Sequence, residues 1–214
     1  HVTVGENTSI GKDCRIFHSS SIGEIPQDLK FSGELTTTII GERTTIREFV
    51  TVNRGTKALG ETKIGSDCLL MAYVHVAHDC ILGNNVIMAN MATLGGHVEI
   101  GEWASLGGGV LVHQFCRIGA HAFIGGGFRV VQDVPPFILA AGEPLCFGGT
   151  NRIGLKRRGF SMEDRQIIKN TYKIFFNSKL NRNEALQKIE SEVKPSNYKD
   201  QIFDFISSSE RGII

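Results

Sequence analysis

From Val4 to Val130, every sixth residue of this chain is aliphatic with few exceptions: 19 of those 22 positions are Ile, Leu, Val or Met. An α-helix cannot produce that period, because 3.6 residues per turn does not divide six. A strand has period two and would be absurdly long. The pattern instead describes short strands separated by corners, three to a coil of 18 residues. That is a parallel β-helix of triangular section, with each coil pairing onto the next at roughly 4.8 Å. Glycine often follows the aliphatic residue, as at Gly11, Gly41, Gly65, Gly83, Gly101 and Gly119. There it is expected to serve tight corners that need unusual backbone angles. A second inward position lies two residues earlier and holds small residues such as Cys68, Val74, Cys80, Ala92, Ala104 and Ala122.

This register places four of the five cysteines inward: Cys14, Cys68, Cys80 and Cys116, with Cys146 outside it. They read as buried small hydrophobes, and the absence of any CxxC speaks against a structural zinc site. Two stretches leave the pattern, 24–38 and 53–61, and both preserve its six-residue phase. They are expected to project from the prism as loops, where scaffolded function often resides. The chain opens in mid-pattern at His1, so further coils are expected to precede it. Near Val130 the hexads stop. Of the 25 glycines, 23 precede residue 155, where helix formers take over. Ser161 and Asp164 resemble a capping box, and three helices are expected around Ile167–Phe176, Leu186–Val193 and Ile202–Ile206. The predicted architecture is all-β then α: a prism over 1–149 and a helical domain over 150–214. A net charge of +1 lends no support to nucleic-acid binding. No apolar run approaches the roughly 20 residues of a membrane span.

Residues 18 apart stack on successive coils, which gives each histidine an address. Asp79 lies under His97, His78 under Gly96, and His113 two coils above Ala77. His75 faces outward on the strand before that corner. Four of the seven histidines therefore gather on one patch, suited to moving a proton near neutral pH. Asp79 could orient or charge-balance His78. Zinc is the competing use, but no two histidines have the H-x4-H spacing of hexapeptide-repeat carbonic anhydrases. Gly107–Gly109 stacks on Gly125–Gly127 to make a strip of wall without side chains, along which a flexible chain could lie. Lys156, Arg157 and Arg158 could clamp a diphosphate.

The strings IGEIPQDLKF, AHDC, LGGHVEIG, VHQFCRIGAHAFIGGG, QDVPPF and GLKRRGFS resemble the bacterial UDP-N-acetylglucosamine O-acyltransferases along nearly the whole chain. That resemblance implies a left-handed winding and a cytoplasmic homotrimer with sites between neighbouring prisms. It implies transfer of an (R)-3-hydroxyacyl group from acyl carrier protein to the sugar 3-hydroxyl, the first step of lipid A synthesis. No metal or other cofactor is implied beyond the carrier's phosphopantetheine thioester, nor is membrane insertion. It also implies that roughly two to three N-terminal coils lie outside this sequence. By the same resemblance His78 is the general base, Asp79 its partner, and the Gly96 N–H an oxyanion donor. Asp28, Lys30, His75 and His97 bind the nucleotide sugar, with His113 and Gln114 from the adjoining subunit. Asn151, Arg157 and Arg158 lie near the uridine and phosphates. Gly126 is the acyl-length ruler, and a glycine there leaves room for a longer acyl chain. The sequence departs from the family at Arg152 and Ile153, where an acidic residue is common in the second position, and at Asn53, where histidine is common.

Other readings remain open on the sequence. One is an acetyl-CoA-dependent hexapeptide acyltransferase, or one acting on a 3-amino UDP-sugar. A non-enzymatic ice-binding prism would need Thr arrays on a flat face, and the run Thr36–Thr38 falls in a loop instead.

Overall fold

The computed structural model describes residues 1–214 as a three-faced parallel β-helix followed by helices. The first face stacks seven strands, from Thr3–Val4 through His75–Val76 and Thr93–Leu94 to Arg129–Val130. The second stacks six, from Thr8–Ile10 to Arg117–Ile118. The third runs from Arg15–Ile16 to Phe123–Ile124 and ends in Ile138–Ala141 and Cys146–Thr150, the last strand antiparallel. His75 pairs with Thr93 and Thr93 with Leu111, the 18-residue step required by the repeat. Ser21 pairs with Thr51 and Thr51 with His75, steps of 30 and 24 residues. The two insertions therefore add whole multiples of six, and the inward face never slips.

Beyond the first coil, where Val4 and Ile10 are exposed, both inward positions form continuous buried columns. Ile46, Val52, Ile64, Leu70, Val76, Met88 and Leu94 are wholly enclosed, and so are Val74, Cys80, Val86, Ala92 and Val98. At about 1.5–3 kcal/mol for each large apolar side chain removed from water, these columns are what make the winding favourable. Cys68, Cys80 and Cys116 are buried as the register requires, while Cys14 in the first coil is only half-buried. Burial pushes the Cys80 thiol up to about 12 and the Cys116 thiol up to about 11, while Cys146 is exposed. Iodoacetamide at neutral pH is therefore expected to modify Cys146 first, with Cys68, Cys80 and Cys116 protected until denaturation. Peptide mass spectrometry reads this directly.

Apart from Gly23 (81°), the corner glycines are not where the backbone is unusual. Left-handed φ falls two residues later, on side chains such as Asp67 (58°), Asn85 (60°), Trp103 (60°) and His121 (59°). Such a residue costs roughly 1–2 kcal/mol, less for Asn and Asp, and the stacked ladder offsets it. The glycines are needed for close approach instead. A Cβ at Gly83 would lie 2.6 Å from the Glu102 nitrogen, and one at Gly101 2.4 Å from the Ala120 nitrogen.

Four helices follow: α1 (Arg152–Arg157), α2 (Met162–Asn177), α3 (Arg182–Glu192) and α4 (Asn197–Ser207). The capping box at the head of α2 is present, with Ser161 Oγ accepting from Asp164 N and Asp164 Oδ2 accepting from Ser161 N. One helix more is found than the apolar spacing predicts. α1 is under two turns long, too short to show a period, and is set by Asn151 Oδ1 accepting from Gly154 N. The fully buried Tyr172 of α2 donates its phenol proton to Pro136 O, which fastens the helices onto the prism's proline-rich exit. The C-terminal tail returns to the last coil. Asp133 N donates to Gly212 O, Ser209 Oγ donates to Asp133 Oδ2, and Arg182 donates to the carbonyls of Ile206, Ser207 and Ser209. No helix is long and apolar enough to cross a membrane.

Candidate active site

The corner between the first and second faces carries His78, Asp79, Gly96 and His97. The coil stacking that puts residues 78 and 96 in register brings the His78 ring onto the side-chain-free face of Gly96. A Cβ built there would sit 2.5 Å from His78 Cε1 and 2.7 Å from Nε2. His78 Nδ1 is 2.8 Å from Asp79 Oδ2. The Asp79 carboxylate is wholly buried. Burial works against its charge, but hydrogen bonds from His78 and Thr56 outweigh that and hold it below the ordinary carboxylate range. An ionised Asp79 can only accept, so Nδ1 carries the proton and Nε2 is left as the basic nitrogen.

Thr56 was not singled out by the sequence. Its N–H donates to Asp79 Oδ1 at 2.9 Å, its hydroxyl donates to Oδ2 at 2.7 Å, and Leu59 N adds a longer bond at 3.3 Å. Segment 54–60, expected to project as a loop, is thus folded down over the corner instead. Both insertions are shorter than expected, because Thr37 and Thr38 join the strand Thr37–Ile40 while Asn53 and Glu61 end and begin strands of the prism. Asn53 Nδ2 donates to Ile25 O, tying that segment to the first loop. A threonine in an irregular insertion has no position in the repeat, so no periodic signal could have found it.

His97 stands edge-on to His78, with ring centroids 5.1 Å apart, and stacks flat on Phe115 at 4.5 Å. Its Nε2 is 3.7 Å from Asp79 Oδ2. Burial and the neighbouring His78 lower its proton affinity, against the attraction of Asp79 and Asp28. His75, one strand back, shares a 2.7 Å hydrogen bond with Thr51 Oγ1 and is likewise lowered, by burial first and His78 second. His75 and His97 are therefore neutral polar groups near neutral pH, suited to sugar hydroxyls rather than to charge. Asp79 and His97 open onto a cleft of about 670 Å³, whose other walls include Leu59, Phe115, Arg117, Ser208 and Arg211.

His78, Asp79 and His97 could also be considered as metal ligands, since their donor atoms all lie within 4.8 Å of one another. The His78–Asp79 separation of 2.8 Å is that of a hydrogen bond. Two ligands on a tetrahedral zinc with bonds of ~2.0–2.1 Å stand roughly 3.3 Å apart. Asp79 is also saturated by Thr56, so the arrangement suits proton transfer better than a metal.

The other singled-out residues fall in three places. Asp28 and Lys30 lie in the first loop, where Asp28 Oδ1 accepts from Lys30 N at 3.0 Å. Asp28 lies near enough to His97 for its charge to act there. His113 and Gln114 occupy the same corner one to two coils on, both exposed. Asn151, Arg157 and Arg158 lie at a different corner, between the second and third faces. Asn151 is buried, and its amide is fully used: Nδ2 donates to His121 O while Oδ1 caps α1. The Arg158 guanidinium lies 5.2 Å from the Trp103 ring centroid and 3.4 Å from His121 Nδ1. Burial and Arg158 push that imidazole down to about 4, which makes it a neutral acceptor. Gly126 sits at the third corner in the glycine strip, where a Cβ would meet only backbone atoms, Gly108 O at 3.1 Å, Gly108 N at 3.5 Å and Gly107 C at 3.9 Å. One chain therefore carries the His78 imidazole, the Arg158 guanidinium and the glycine strip on three separate corners.

Fold and corner together define a hexapeptide-repeat transferase, and the family model for bacterial transferase hexapeptides matches residues 61–96. The model for domain 2 of UDP-N-acetylglucosamine O-acyltransferases matches residues 133–214. A curated relative from Janthinobacterium sp., named acyl-[acyl-carrier-protein]–UDP-N-acetylglucosamine O-acyltransferase, is 51% identical over 94% of this chain and 79% of its own length. One of the same name from Herminiimonas arsenicoxydans is 51% identical over 95% of this chain and 80% of its own. The crystal structure of a UDP-N-acetylglucosamine acyltransferase from Bacteroides fragilis superposes with a TM-score of 0.98 at 47% identity. It covers all of this chain and 84% of that one. The chain belongs to the UDP-N-acetylglucosamine O-acyltransferase family.

Proposed function

We propose that this protein transfers an (R)-3-hydroxyacyl group from acyl carrier protein to the 3-hydroxyl of UDP-N-acetylglucosamine, the first step of lipid A biosynthesis, in the cytoplasm. The names of its relatives support the substrates. The observation that carries the mechanism is the His78 ring, held by a buried carboxylate and laid against the bare Gly96. His78 Nε2 takes the proton of the sugar hydroxyl as its oxygen attacks the thioester carbonyl. The Gly96 N–H stabilises the oxyanion. Like the N–H at the same corner step of other coils, it has no backbone acceptor. Collapse breaks the C–S bond, and the imidazolium returns its proton to the departing thiolate of the carrier arm. Asp79, ionised throughout, stabilises the imidazolium.

Asp28, Lys30, His75 and His97 hold the sugar nucleotide, with His113 and Gln114 completing the pocket from an adjoining copy. Asn151 shapes the loop that presents Arg157 and Arg158 to the uridine and phosphates. Because Asn151, Arg157 and Arg158 lie at a different corner of the prism from His78, a site combining them forms only where one copy's corner meets another's. A homotrimer of prisms satisfies this. The separation of corners also supports an acyl chain from the His78 corner of one copy lying along the Gly126 strip of its neighbour.

Turnover measured with acyl carriers of increasing chain length tests this reading, with acetyl-CoA as the alternative donor and a 3-amino UDP-sugar as the alternative acceptor. Activity restricted to acetyl-CoA or to the amino sugar would remove it. Gly126→Met is expected to shift preference toward shorter chains. Its kcat/KM for the longest accepted carrier should fall about tenfold or more, equivalent to roughly two lost methylene contacts.

A further inference from the structure

Arg211 stands in the C-terminal tail, 98 residues from the histidine it touches. Its Nη2 lies 3.2 Å from His113 Nδ1 and 3.5 Å from Val131 O, and its Nε is buried with no acceptor. The tail that carries it is clamped independently, through Asp133, Ser209 and Arg182. The guanidinium is therefore held against the His113 ring rather than drifting onto it. It also lines the cleft shared by Asp79 and His97.

We propose that Arg211 is a positioning residue that fixes His113 in the tautomer with its proton on Nε2, so that His113 presents one outward donor to the nucleotide sugar. This rests on the reading above, in which His113 binds that substrate. A guanidinium carries only donors and keeps its charge at any working pH. The ring nitrogen facing it must accept, which sends the ring proton to the far nitrogen. The competing local partner asks for the opposite. Gln114 O lies 3.1 Å from the same Nδ1, and a carbonyl can only accept. Arg211 and Gln114 O thus favour opposite tautomers. Removing Arg211 leaves the carbonyl alone and turns the outward nitrogen from donor to acceptor.

The test uses the full chain with 15N-labelled histidine. Side-chain NMR of the wild type is expected to show His113 with its proton on Nε2. Arg211→Met is expected to move it to Nδ1, and Arg211→Lys to restore it at least in part. In kinetics, Arg211→Met should raise KM for UDP-N-acetylglucosamine about tenfold, the loss of one hydrogen bond. KM for the acyl carrier and kcat should change little. His113→Gln carries an amide donor that needs no tautomer, so adding Arg211→Met to it should have no further effect. An unchanged His113 tautomer in Arg211→Met would overturn the proposal. So would full additivity with His113→Gln, or a parallel loss of kcat and both KM values that lysine does not rescue. The NMR arm needs no turnover. Inactivity of the wild type on UDP-N-acetylglucosamine would therefore refute the substrate reading without touching the tautomer.

Discussion

His78→Ala is expected to lower kcat by about 10²–10⁴-fold, the usual worth of a positioned general base, while the fold and its thermal midpoint stay close to those of the parent. The side chain lies outside the inward columns, which enclose Val76 and Cys80 on either side of it. Truncation therefore opens no cavity in the prism. It does strand the Asp79 carboxylate, but Thr56 supplies two hydrogen bonds of its own, from N–H and hydroxyl. Steady-state turnover and a thermal melt on the same preparation separate the two effects. Full activity in the variant would end the base assignment. Loss of activity together with a collapsed melting point would mean that the ring matters for folding instead.

Gly96→Ala should be nearly as damaging, by about 10²–10³-fold in kcat, although it adds one methyl group. Gly96 is not among the positive-φ residues, so alanine meets no backbone strain. The added Cβ would lie 2.5 Å from His78 Cε1, well inside contact distance. Either the ring swings off Asp79 and breaks its 2.8 Å bond, or the corner shifts and misplaces the oxyanion donor, whose removal alone costs that order of rate. The double variant His78→Ala/Gly96→Ala distinguishes a shared cause from two separate ones. If the methyl acts through the ring, its penalty shrinks once the ring is gone, a coupling visible in a double-mutant cycle. Wild-type turnover in Gly96→Ala would show that the imidazole does not rest on this glycine.

The six-residue period was enough to set the winding, the inward columns and the addresses of the histidines. Each is a consequence of a local rule repeated without slip, and a stack of 18-residue coils converts sequence separation directly into distance. His78 against Gly96 and Asp79 under His97 could therefore be read before any coordinates. The capping box on α2 was equally legible, because both of its partners lie within four residues. The role of the glycines was legible only in part, since Gly23 alone of the corner set has a left-handed φ. Their spacing marks the corner, yet only the packing of one coil on the next shows that they make room for backbone rather than relieve φ. Tertiary structure alone decided that Thr56 closes over Asp79 and that Arg211 meets His113. It also decided that the Arg158 guanidinium stands at a different corner from the His78 imidazole. Thr56 lies in an insertion with its own path, and Arg211 arrives from a tail beyond the last coil. Neither stands in a periodic relation to its partner, so no register in the chain could announce the contact.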